Sequence, residues 1–116
     1  MISIYFGGRI KNRPKIEQFI FDCFNHYFDG RLKRQIDVDI IFKPELEEKA
    51  SGWCTGDRNE ILIEISNNVK NEKSLCRNIA HEIVHAKQFL RGEDNDTETM
   101  ELEAIDGEKK LVQLYL

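Results

Sequence analysis

The chain has 116 residues, a net charge of −4, 41% apolar residues and 33% charged ones. That length fits one domain of about 100–150 residues, and no apolar run approaches the roughly 18 residues of a membrane helix. Met1–Phe6 is too short for a signal-peptide core, and the cysteines Cys23, Cys54 and Cys76 are odd in number and scattered, so a reducing compartment, by default the cytoplasm, is expected.

Residues 1–36 carry seven basic and three acidic side chains, whereas eight acids and no Lys or Arg lie between Glu93 and Glu108. The overall acidic balance argues against a nucleic-acid partner, whose binding depends on neutralising phosphates. Ile2–Phe6 reads as a short strand closed by Gly7-Gly8. From Pro14 to about Phe28, apolar residues recur at three and four, which predicts a helix stopped near Gly30. Ile36–Phe42 alternates apolar with acidic residues and predicts a half-buried strand ended by Pro44. Trp53-Cys54-Thr55, the turn Gly56–Asn59, and Glu60–Ile65 predict a β-hairpin.

Lys73 to Leu90 is the strongest helical pattern. Leu75, Ile79, Ile83, Ala86 and Leu90 form one apolar stripe, with Cys76, Ala80 and Val84 beside it, so the helix is expected to be central and buried. Its remaining polar line is Arg77, His81, His85 and Gln88, and Gly92 stops it. A last helix is expected from near Thr97 to the C-terminus, with Leu102, Ile105, Val112 and Tyr115 in its inward stripe. These elements predict an α+β domain spanning residues 1–116. It would hold a small, mostly antiparallel sheet of three to four strands and three helices.

The chemistry concentrates in His81-Glu82-Ile83-Val84-His85. Histidines four apart stack on one helical face, so two imidazoles can hold one zinc ion, and the Glu after the first His can take a proton from water on the metal. Two imidazoles and a carboxylate on a core helix with no such task would be costly to bury. No His follows His85, and His26 lies upstream on the first helix as a surface or core-edge residue. The third ligand is therefore sought in the acidic start of the last helix. Helical phase favours Glu101, which shares a stripe with Ala104, Ile105, Glu108 and Val112. Glu103 shares its stripe with Asp106, Gly107 and Lys110, read as solvent-facing, and Glu98 falls in the first turn, where the helix dipole alone favours an acid. Both stay as alternatives. Cys54 could close the site as a fourth ligand, although a strand cysteine packed beside Trp53 is the plainer reading. Cys23 and Cys76 read as packing, and Tyr115 as core; Arg77 is a weak candidate to assist an oxyanion.

His81-Glu82-x-x-His85 followed by Glu101-x-Glu103-Ala104 resembles the gluzincins, zinc metallopeptidases with a Glu as third ligand, and the short length looks like a minigluzincin. The stretch after His85 is similar to small H-E-x-x-H proteins of bacteriophages, which would place the chain in a host cytoplasm. The element order from Gly52 onward resembles SprT-like domains, which use a third His that this chain lacks. Gluzincins commonly place an Asp four residues after the ligand Glu to orient a zinc-bound His; here that residue is Ile105, and Asp106 is one residue late. The resemblance implies a zincin-like fold with H-E-x-x-H on the central helix, a protein or peptide substrate, and no membrane partner. It implies that Zn²⁺ is held by His81, His85 and Glu101, that Glu82 is the general base, and that Glu60–Ile65 is the edge strand on which substrate is laid. A zinc-binding but catalytically idle domain that engages another protein, such as a host factor, is the second reading. A protein without metal is the third.

Overall fold

A computed structural model of the protein describes residues 1–30 and 33–115. In chain order the elements are β1 (Ile2–Gly7), α1 (Arg13–Phe28), β2 (Ile36–Lys43), β3 (Gly52–Gly56), β4 (Glu60–Ser66), α2 (Glu72–Arg91) and α3 (Thr97–Val112). Short 3₁₀ turns cover Glu47–Lys49 and Gln113–Tyr115, so the last α-helix stops before the end of the described residues. Among the described residues, no helix is long and apolar enough to cross a membrane.

The four strands form one sheet in the order β1-β2-β4-β3. It is mixed, which corrects the expected mostly antiparallel arrangement: β1 pairs with β2 and β2 with β4 in parallel, and only β3 with β4 is antiparallel. The reason lies in the connections. A helix between β1 and β2 carries the chain back to its starting end, as parallel neighbours require, while a tight turn joins β3 to β4. That turn is held by Asp57, whose Oδ1 accepts the backbone N–H groups of Asn59 and Glu60 at 2.8 and 2.9 Å. A second correction follows from the same order. β4 is paired on both sides, so β3, not Glu60–Ile65, is the edge strand beside the hairpin.

Period-2 alternation places Ile36, Val38, Ile40 and Phe42 of β2 on one face with Ile61, Ile63 and Ile65 of β4, and all seven are buried. The register aligns them in rows: Val38 opposite Ile61, Ile40 opposite Ile63, Phe42 opposite Ile65. α1 covers this face with Ile16, Phe19, Ile20, Cys23 and Phe24, and α2 covers it with the apolar stripe read from the sequence. Asn71 caps α2 by accepting the Ser74 N–H at 2.8 Å, and Gly92 ends it at φ 65°.

α3 lies against α2. Its buried side is Ala104, Gly107, Glu108 and Leu111, whereas Leu102 is 61% exposed and Ile105 42%. The expectation that Leu102 and Ile105 point inward is therefore wrong: the packed side of α3 is a narrow strip on which Ala104 and Gly107 let the two backbones approach closely. A Cβ on Gly107 would stand 2.7 Å from Val84 Cγ2. Gly107→Ala is accordingly expected to destabilise the chain by about 1 kcal/mol. Overpacking against a stiff, buried Val costs about 1–3 kcal/mol and outweighs the roughly 1 kcal/mol gained in helix propensity. Urea unfolding measures it, and a variant as stable as the parent would show that the helices part without cost.

Candidate metal centre

The two histidines project from α2 toward the start of α3. Their rings lie 5.0 Å apart at 77°. Both direct Nε2 at one carboxylate: His81 Nε2 lies 3.2 Å from Glu101 Oε2, and His85 Nε2 lies 2.8 Å from Glu101 Oε1. One ligand atom from each of the three residues falls within 4.8 Å of the others, a spacing that could hold a metal ion. Among the Glu candidates, the described structure brings Glu101 to the histidines; Glu98 and Glu103 lie outside the group.

The far ring nitrogens are occupied as well. His81 Nδ1 stands 3.1 Å from Glu108 Oε1, and His85 Nδ1 stands 2.8 Å from Gln88 Oε1. Both partners are oxygens that can only accept, and so are the Glu101 oxygens facing each Nε2, so a neutral ring turns a lone pair toward one of them. Lone pairs facing a carboxylate require a cation between them, whether a proton or a metal ion. Three carboxyl groups (Glu82, Glu101, Glu108) stand around the two imidazoles. Nitrogen and oxygen donors of this kind suit zinc.

Glu82 lies beside this group, nearly buried, and accepts no hydrogen bond from any described residue. Burial pushes its carboxyl above the usual range, helped by Glu101 and Glu108, while the neighbouring histidines pull it back down. Its place depends on Gly52 at the start of β3, where a Cβ would lie 2.9 Å from Glu82 Cγ and 3.2 Å from Oε2. The strand backbone and the carboxylate share space that only a glycine leaves. Together these residues line an open cleft of about 380 Å³ with Trp53, Cys54, Phe89, Glu93, Thr97 and Met100.

Several further sequence candidates are located by the same geometry. Cys54 lines the cleft without joining the ligand group, and burial raises its thiol well above the ordinary value, with Glu82 adding to the effect. Trp53 lines the cleft and is 41% exposed. His26 is exposed on α1 against Tyr27, and Tyr115 packs edge-on against Phe19. Arg77 is exposed and does not line the cleft. Cys23 and Cys76 are buried in the core.

Three functional positions escaped the sequence reading: Gly52, Gln88 as a partner of His85, and Glu108 as a partner of His81. Two had a visible signal. Gln88 stands on the same polar line as the histidines, three residues beyond His85, and Glu108 shares the stripe of Glu101 two turns on. Ile105, where an orienting Asp was sought, is exposed; Glu108 meets the histidine instead. No family model matches this chain, and no curated protein matches it.

Proposed function

We propose that the chain is a zinc-dependent peptidase of gluzincin type, with His81, His85 and Glu101 as the metal ligands and Glu82 as the general base. One observation carries the reading: a single carboxylate faces both Nε2 atoms of a helical His pair, with a nearly buried, unbonded Glu beside them in an open cleft. A zinc ion held by His81, His85 and Glu101 would supply Lewis acidity toward water and a substrate carbonyl.

The chain's own groups do the rest. Glu82 takes the proton from the attacking water on a carboxylate oxygen, then returns it to the nitrogen of the leaving amine as the peptide bond breaks. Glu108 and Gln88 are placed to accept the Nδ1 protons of His81 and His85, which would leave both Nε2 lone pairs for the metal. β3 has a free edge and runs past Glu82 at Gly52, so an extended peptide adding to that edge would bring a carbonyl over the base.

The test is the metal content of purified protein by plasma mass spectrometry, followed by cleavage of a mixed peptide library with and without zinc. About one zinc per chain, lost in His81→Ala, together with zinc-dependent cleavage, is the expected result. No zinc uptake and no zinc-dependent rise in Tm would end the metal reading. One zinc per chain with no cleavage of any peptide would leave a binding domain and end the enzyme reading.

A further inference from the structure

Behind His85 lies a buried polar group that the ligand geometry alone does not call for. Gln88 is 3% exposed and Lys87 5%, both on the side of α2 that meets α3. The Gln88 amide nitrogen donates to the Met100 carbonyl oxygen at 3.0 Å and to Glu103 Oε1 at 2.7 Å. Lys87 Nζ donates to the same Glu103 oxygen at 3.0 Å and pairs with Glu93 Oε2 at 2.8 Å. An amide has two N–H donors, and here both are taken by acceptors on α3. The oxygen is then the only end of the amide left to face His85, and it can accept only from a protonated Nδ1.

We propose that Gln88, Glu103 and Lys87 form a positioning clamp that holds the His85 Nδ1–H bond to Gln88 and holds Glu101 opposite the histidines. Glu103 is the pivot. It fixes which way the Gln88 amide points, and its bonds to two α2 side chains tie the second turn of α3 to α2, two residues beyond Glu101. Lys87 keeps Glu103 in place through its hydrogen bond to the same oxygen that Gln88 reaches. Glu93 anchors the other side of the Lys87 ammonium and lines the cleft itself. The residue that the sequence offered as an alternative ligand thus acts one step away from the metal.

This inference rests on the metal-site reading for its affinity arm, and its hydrogen-bond arm stands without it. Two measurements test it on the full chain: the zinc dissociation constant by competition with a chelating dye, and the solvent protection of the His85 Nδ1–H proton by ¹H–¹⁵N NMR of the metal-free protein. Glu103→Ala and Gln88→Leu are expected to weaken zinc binding by about 10–100-fold. In both variants the Nδ1–H proton, protected in the parent, should also exchange into water. Glu103→Gln keeps an oxygen for the Gln88 amide and should restore most of both. Glu103 is 44% exposed at its side chain, so its variants are expected to fold, which circular dichroism checks. Folded Glu103→Ala with unchanged affinity and an unchanged Nδ1–H signal would overturn the clamp. If the parent chain takes up no zinc, the function proposed above falls and the Nδ1–H signal alone decides: no protected proton in the parent, or one that Glu103→Ala leaves unaltered, would overturn it.

Discussion

Glu82→Gln is expected to bind zinc as tightly as the parent while losing peptide cleavage by about 10²–10⁴-fold, the usual worth of a positioned general base. Glu82 lies outside the group of ligand atoms, so its substitution leaves the three donors in place. Gln has the same shape and fits the same space against Gly52, where Glu82 Cγ and Oε2 crowd the strand backbone. What it cannot do is accept a proton from water and pass it on. A drop in kcat with little change in KM would fit a group that acts only as the bond is broken. Full cleavage by a zinc-loaded Glu82→Gln chain would remove Glu82 from the mechanism.

Glu101→Ala is expected to weaken zinc binding by more than the roughly 10–100-fold that loss of an outer partner costs, because it deletes a direct donor. Its oxygens stand 2.8 and 3.2 Å from the two imidazoles, and no other acid of α3 joins the group. The side chain is half exposed, so the fold should tolerate its removal and the loss should appear in the metal affinity with little change in the apo Tm. Dye competition on Glu101→Ala and Glu103→Ala side by side separates ligand from positioning residue: a larger loss in the first is expected. Equal losses, or the reverse order, would reassign the third ligand.

The histidine pair, the Glu beside it and the helix bearing them were legible along the chain because helical spacing is a local property: residues four apart stack wherever the backbone is helical. The same locality explains the two arms of the hairpin, the inward rows of β2 and β4, and the stripe of α1, since period and side-chain character alone decide which residues turn toward a core. Glu101 also followed from phase, with Glu103 and Glu98 kept beside it. Local pattern misjudged the outer face of α3, where Leu102 and Ile105 face solvent. It also misjudged the direction of the strand pairings, and the family resemblance misplaced the edge strand. Those depend on which elements meet. Alternation marks a strand without naming its neighbour, and a helix's inward side is set by its partner, here a close approach of Gly107 to Val84. The Nδ1 partners of the histidines and the Gln88–Glu103–Lys87 group lie in the same class, since they join α2 to residues 12 to 27 positions away or depend on that junction. Spacing determined what could bind a metal; only the packing of α3 on α2 decided which acid faces the histidines and what holds them in place, because hydrogen bonds between helices require both backbones to be already fixed.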